Sequence, residues 1–219
     1  EVEQVGEGMW SRAFAFRHDD RDLVVRFGQH RDDYEKDRFA HRFASAALPI
    51  PEVLEIGRAF DGHFAISTRG WGVPLEDLDE PGWRAILPAL LSALDAMRDV
   101  EVPADAGFGG WDGQGRAHRS SWRDFLITVD DDSPTRRTHG WRELLAASAV
   151  GDGPFVAGLA RLTELSVELP ERHHVIHADL INRNVLVEGD RLGAVLDWGC
   201  ASYGDPLYDI AWMEHWAPW

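Results

Sequence analysis

An α+β fold in two lobes is what the sequence predicts, a small lobe built on an antiparallel sheet and a larger, mainly helical one. Three observations carry that expectation. β-rich runs flank a single helical stretch within the first 68 residues. Helical periodicity dominates from residue 83 onward. Short apolar strands return between residues 175 and 196, around a group of polar side chains. The expected division is therefore residues 1–68 and 69–219.

Residues 13–16 and 23–27 are rich in β-formers, and the polar stretch 18–21 between them reads as a turn. Gly6 and Gly8 precede the first of these strands. Residues 32–47 predict a helix, because Tyr34, Phe39, Phe43, Ala46 and Ala47 form an apolar stripe that the two prolines at 49 and 51 end. Residues 53–57 and 63–67 read as a second strand pair around an Asp61-Gly62 turn. The small lobe is thus strand-strand-helix-strand-strand, with residues 67–72 as the connection onward. Ile86, Leu87, Leu90, Leu91, Leu94 and Met97 recur at helical intervals over 83–100. Glycine-rich residues 101–119 predict a long loop. Further helices are expected over 122–129, capped by Ser120 or Ser121, and over 141–150 and 155–169, with a breaker at 130–134. Residues 175–176, 185–187 and 194–196 are short strands.

The totals narrow the function classes. With 38 acidic against 22 basic residues, the formal charge of -16 argues against a nucleic-acid partner, whose phosphates need neutralising cations. It suits a cationic partner, which a negative field steers inward. No apolar run of about 18 residues predicts a membrane span, and no basic segment followed by an apolar one predicts a signal peptide. Cys200 is the only cysteine, so no intramolecular disulfide is expected. These features read as a cytoplasmic protein, a monomer or homodimer. The first residue is not Met, so the chain is expected to be processed or trimmed.

The most informative stretch is His177-Ala178-Asp179, then Asn184, then Asp197-Trp198 after an apolar run. An acid, an amide five residues on, and a second acid closing a strand resemble the phosphoryl-transfer centre of protein kinases. With Gly204-Asp205-Pro206 and Asp209 added, the pattern resembles the aminoglycoside phosphotransferase family, small-molecule kinases of the protein-kinase-like fold. Further stretches carry the likeness along the chain: SRAF at 11–14, FASAALPIPEVL at 43–54, SWRDF at 121–125 and WAPW at 216–219. The 43–54 stretch points to the branch that acts on hygromycin B.

The resemblance implies transfer of the γ-phosphate of ATP or GTP, with Mg²⁺, to an aminoglycoside hydroxyl, which confers antibiotic resistance. Asp179 then orients and deprotonates the hydroxyl, and Asn184 and Asp197 hold Mg²⁺. His177 is expected to be structural and Asp209 to brace the 177–184 loop. Gly6 and Gly8 are expected to cover the phosphates through backbone N–H groups, with Ser11 adding a hydroxyl. Arg26 stands where a protein kinase has Lys, and Arg can grip phosphate bidentately; Asp37 is its expected acidic partner. The base is expected against the backbone of Ser67 and Arg69. Trp122, Asp124, Asp205, Glu214 and Trp216 are candidates for substrate contacts, joining Asp179 there. Family members continue for several helices past Trp219, which complete the larger lobe. Two rivals follow from the same motifs: a kinase of this fold for a macrolide, choline or homoserine, and a catalytically silent nucleotide-binding protein.

Overall fold

A computed structural model describes residues 2–180 and 183–216. The chain opens with three antiparallel strands, β1 (Val2–Glu7), β2 (Ser11–His18) and β3 (Arg21–Gly28). Helix α1 (Arg31–Ala40) follows, then β4 (Val53–Ala59) and β5 (Gly62–Thr68). The five strands form one antiparallel sheet in the order β1-β2-β3-β5-β4. β1 is the strand the sequence reading omitted: its VEQVGE run is exposed along its length, so it lacks the half-buried alternation that announces a strand. Gly6 consequently lies within β1, opposite Ala13, and not in a loop ahead of the sheet.

Helix α1 is shorter than its apolar stripe suggested. It ends at Ala40 and tightens into a 3₁₀ turn, His41–Phe43. The His41 ring then bonds the Ile50 carbonyl at 2.8 Å, which ties down the chain returning toward β4. The helix packs on β4 and β5 and on the turn at 198–200.

After Thr68 the chain leaves the first sheet. β6 (Val73–Pro74) pairs with β9 (Val185–Glu188), which pairs with β10 (Arg191–Val195). Gly72, at φ 127°, makes this approach possible, because a Cβ there would strike the Val187 carbonyl. Helix α2 (Glu80–Arg98) begins three residues before the expected start, where the Asp79 side chain accepts the Gly82 N–H and proline occupies the first turn. Of its predicted stripe, Ile86, Leu90, Leu94 and Met97 are buried, while Leu87 and Leu91 face out. A buried cluster joins α2 to Leu48, Leu75, Val175, Val185 and Val195.

The predicted loop at 101–119 holds one two-residue strand, β7 (Gly109–Gly110). It is anchored by Trp111, buried and stacked on Trp198 with ring planes 10° apart. Helices α3 (Trp122–Leu126), α4 (Trp141–Ala147) and α5 (Gly153–Leu165) follow. Then come β8 (His174–Ile176), β9, β10, β11 (Ser202–Gly204) and α6 (Leu207–Trp216). α3 is capped by the Ser121 hydroxyl, which accepts the Asp124 N–H at 3.0 Å. Strands β7, β11 and β8 form a third small sheet. Among the described residues no helix is long and apolar enough to cross a membrane. Residues 217–219 of the WAPW motif lie outside the described residues.

Gly72→Ala should destabilise the fold by about 2–4 kcal/mol through combined strain and overlap with Val187. Urea unfolding of the parent and variant reads this directly.

Candidate active site

The site is built where β8 ends and the backbone turns sharply. Ala178 adopts φ 64° and Asp197 φ 58°, a left-handed conformation that L side chains rarely take. The first turn is held by Asp209, reaching up from α6. Its two carboxylate oxygens accept the His177 N–H at 2.8 Å and the Ala178 N–H at 2.7 Å. Burial pushes the Asp209 carboxyl up to about 6, against those two N–H groups, so it is ionised at neutral pH.

His177 is fully buried. Its Nδ1 accepts the Asp179 N–H at 3.2 Å, so Nε2 carries the proton and donates to the Leu196 carbonyl at 2.9 Å. Burial holds the ring neutral, its pKa down to about 4. His177 thereby connects the residue before Asp197 to the backbone of Asp179. Asn184 completes the arrangement: its Nδ2 donates to the Asp179 carbonyl at 3.0 Å and to Oδ2 of its carboxylate at 2.8 Å. Leu196 N–H returns to the Asn184 carbonyl at 2.7 Å. The two acids and the amide are thus fixed in one network.

A second network reaches the site from the five-stranded sheet. Arg26 on β3 forms an ion pair with Asp37 on α1. The other Asp37 oxygen accepts the Trp198 N–H at 2.8 Å, in a buried setting. Lys36, one residue before, donates to the Gly199 carbonyl at 2.9 Å.

Two adjoining cavities open on these residues. The larger, about 700 Å³, runs between the five-stranded sheet and the β9–β10 pair. Gly6, Gly8, Ser11, Arg26, Asp37, Ser67, Arg69, Asn184 and Asp197 all line it. The smaller, about 140 Å³, holds Asp179 with Tyr34, Arg137 and Cys200. Ser11, Arg26 and Asp197 line both.

Several expected contacts differ in detail. The Gly8 N–H is bonded to the Ser11 carbonyl at 2.9 Å, closing the hairpin turn, so it is not directed at a phosphate. The Arg69 N–H goes to the Asp22 carbonyl at 3.1 Å, so that donor is already engaged. What Arg69 brings to the cavity is its guanidinium, stacked over the Trp71 ring at 4.2 Å and paired with Glu3 at 3.4 Å.

Of the six residues expected at the substrate, Asp179 lines the smaller cavity, and Trp122, Asp124, Asp205, Glu214 and Trp216 line neither. Trp122 is in the core, stacked on Phe125 at 5.3 Å, because Gly204 leaves room for its ring. Asp124 sits at the start of α3, where the Ser120 hydroxyl holds its carboxyl below the usual range. Asp205 is buried, accepts the Leu207 N–H at 3.0 Å and faces Arg172 at 3.6 Å. Glu214 and Trp216 are exposed on α6. Tyr34 and Arg137 line the smaller cavity without having been singled out. In sequence Tyr34 belongs to an apolar stripe, and Arg137 stands in a segment with no recognisable motif.

Two outcomes follow. Asp37→Ala strands Arg26 and the Trp198 N–H, and should cost about 3 kcal/mol in thermal or denaturant unfolding. For His177, the unfolded ring takes a proton near 6.5 and the folded ring only near 4. Between those values the unfolded state binds more protons, so this group's contribution rises with pH. The stability gap between the parent and His177→Asn should widen by about 3 kcal/mol from pH 4 to pH 6.5, measured by unfolding at each pH.

Comparison with known proteins is consistent with this geometry. A hygromycin-B 4-O-kinase from Escherichia coli is 37% identical over 222 residues, which cover 99% of this chain and 62% of that protein. The chain thus spans somewhat under two thirds of that relative's length. The crystal structure of aminoglycoside phosphotransferase APH(4)-Ia in ternary complex with AMP-PNP and hygromycin B (a thermostable mutant) matches with a TM-score of 0.87 at 36% identity. The match covers all of this chain and 73% of that one. A putative fructosamine-3-kinase from Haemophilus somnus 129PT matches with a TM-score of 0.67 at 16% identity, over all of this chain and 72% of that one, a likeness of fold alone. The fold is therefore the α+β, protein-kinase-like one. Residues 1–219 match in full the family described as the phosphotransferase enzyme family, and the chain belongs to that family.

Proposed function

We propose that this chain is an O-phosphotransferase that moves the γ-phosphate of ATP or GTP to a hydroxyl of an aminoglycoside, with hygromycin B as the acceptor, conferring resistance. The observation that carries the reading is the network that bonds Asn184 to Asp179 and, through Leu196, sets Asp197 where the two cavities meet. In this reading residues 1–68 serve as the nucleotide-binding lobe and 69–219 as the catalytic and acceptor lobe. The acceptor assignment is supported by the hygromycin-B 4-O-kinase and by the relative crystallised with AMP-PNP and hygromycin B. The charge of -16 suits a polycationic acceptor.

The acceptor hydroxyl lies against Asp179, whose carboxylate Asn184 orients through Oδ2. The acceptor oxygen forms a bond to the γ-phosphorus while the bond from that phosphorus to the β–γ bridging oxygen breaks. The electron pair leaves on the nucleoside diphosphate, and the hydroxyl proton passes to Asp179. Among the described residues no three His, Cys, Asp or Glu side chains gather to hold a metal ion on their own. Asn184 and Asp197 offer two hard oxygen donors on the larger cavity, a set that fits Mg²⁺ completed by phosphate oxygens and water. Bound there, Mg²⁺ supplies charge neutralisation on the phosphates. Arg26, held by Asp37, faces the same cavity and takes the phosphate-gripping role.

A 37-residue likeness to a homoserine kinase from Methylobacillus flagellatus, 54% identical over 17% of this chain, keeps a second acceptor class in view. The two readings share the phosphate chemistry and differ in the acceptor. A cytoplasmic protein, monomeric or homodimeric, that binds neither membrane nor nucleic acid is part of the same proposal.

Phosphate transfer from ATP and GTP should be seen with hygromycin B and not with homoserine, choline or a macrolide. Asp179→Ala should lower kcat by roughly a hundredfold or more while nucleotide affinity is kept. Equal turnover in this variant would remove Asp179 from the reaction, and transfer only to another acceptor would overturn the aminoglycoside assignment.

A further inference from the structure

The smaller cavity contains a cation that the phosphotransferase reading has not used. Arg137 reaches it from the turn-rich segment between α3 and α4. Its guanidinium is bidentate to Asp33, Nη1 to Oδ2 at 2.8 Å and Nη2 to Oδ1 at 3.0 Å, and Nη2 also meets Asp32 at 2.6 Å. The segment is firmly built. Asp132 accepts the Gly140 N–H at 2.7 Å, Asp131 accepts the Ser133 N–H at 2.9 Å, and the Arg136 N–H closes a turn on the Ser133 carbonyl at 2.9 Å. Arg137 is therefore presented by a folded loop across more than a hundred residues of sequence.

The charge balance at this cavity is unusual. Asp33, Asp179 and Asp197 line it, and Arg26 and Arg137 carry its fixed positive charges among the described residues. Arg26 is already neutralised by the buried Asp37. Arg137 is held by Asp32 and Asp33, of which Asp32 is more than half exposed and so screened by water. Tyr34, in the same wall, is buried with a hydroxyl that has no hydrogen-bond partner among the described groups. A donor without an acceptor suits an incoming anion. Asp33, in contrast to Asp32, is only 16% exposed and grips the guanidinium on two oxygens, so an incoming phosphate exchanges with the more exposed Asp32 contact first. The smaller cavity adjoins the larger one through Ser11, Arg26 and Asp197, and it is the one that holds Asp179.

We propose that Arg137 is a catalytic residue of this site, a guanidinium that contacts the terminal phosphate of the bound nucleoside triphosphate beside Asp179. This deepens the phosphotransferase reading and rests on it. A planar guanidinium matches two phosphate oxygens as well as it matches the Asp33 carboxylate. Charge spreads over the equatorial oxygens of a transferring phosphoryl group, and a cation placed there lowers the barrier. Asp32 and Asp33 hold the side chain in place until the phosphate arrives.

The test compares the affinities of ADP and the non-hydrolysable triphosphate AMP-PNP, each with Mg²⁺, by calorimetry. Arg137→Ala should weaken AMP-PNP by roughly tenfold or more and leave ADP nearly unchanged, because only the triphosphate reaches the smaller cavity. Arg137→Lys should recover part of that loss. Asp33→Asn, which loosens the ion pair but keeps Arg137, should retain the preference for AMP-PNP. A purely structural bridge gives the opposite pattern: Asp33→Asn would mimic Arg137→Ala, and both nucleotides would weaken together. That pattern, or an unchanged ratio in Arg137→Ala, overturns the proposal. Melting curves of the three variants identify any that fail to fold, and Arg137→Lys then carries the comparison. Failure of the parent chain to bind either nucleotide would instead overturn the phosphotransferase reading itself, a separate and distinguishable result.

Discussion

The carboxylate of Asp37 is the joint on which the site depends. One oxygen holds the Arg26 guanidinium from β3 and the other takes the Trp198 N–H, immediately after Asp197. A single buried side chain thus fixes the spacing between the cation of the five-stranded sheet and the acid that follows β10. Lys36 adds a bond to the Gly199 carbonyl from the same turn of α1. Loss of register between these parts would separate Arg26 from Asp197, which line both cavities together. A buried ion pair of this kind costs desolvation and gains little net stability. Here its geometric consequence is plain: the consecutive elements β3 and α1 meet the far-off turn after β10 at one carboxylate.

The second constraint is local strain made permanent by hydrogen bonds. Ala178 and Asp197 both hold left-handed backbone without being glycine. Such conformations persist only where the surroundings over-determine them. At Ala178 the surroundings are Asp209, with two N–H groups, and a neutral His177 that acts as acceptor and donor at once. At Asp197 they are the Trp198 N–H on Asp37 and the packing of the Trp198 ring on His177 at 4.7 Å. The buried polar residues nearest the site therefore serve its shape, while Asp179, Asn184 and Asp197 face the cavities.

Much of this arrangement was legible in the residues. The spacing of Asp179, Asn184 and Asp197 follows from the motif, because short loops leave little freedom over five to twenty residues. The supporting part of Asp209 and the pairing of Arg26 with Asp37 were legible through the resemblance to kinases. Helix α2 was legible from its apolar repeat and β4 and β5 from their β-rich runs, but the turn between them falls at Phe60-Asp61 instead of Asp61-Gly62, because Gly62 already pairs with Ala59 in the ladder. Strand β1 was not, since an exposed edge strand carries no burial pattern. The end of α1 at Ala40 was not either, because the bond between His41 and the Ile50 carbonyl depends on chain that returns later.

What the sequence by itself determined is the chemistry offered: two acids and an amide at fixed spacing, an acidic surface, and strands and helices in the order of a two-lobed fold. What only the tertiary structure decided is which other side chains share that chemistry. Trp122 and Asp205 have the residue types of a substrate site, yet packing against Phe125 and pairing with Arg172 turn them to structural ends. Arg137 and Tyr34 look ordinary in sequence, yet they reach the cavity of Asp179. The physical reason is that local sequence sets backbone conformation and short-range bonds, while access to a cavity depends on long-range packing. Arg137 meets Asp33 across 104 residues, a separation over which no periodicity or spacing carries information.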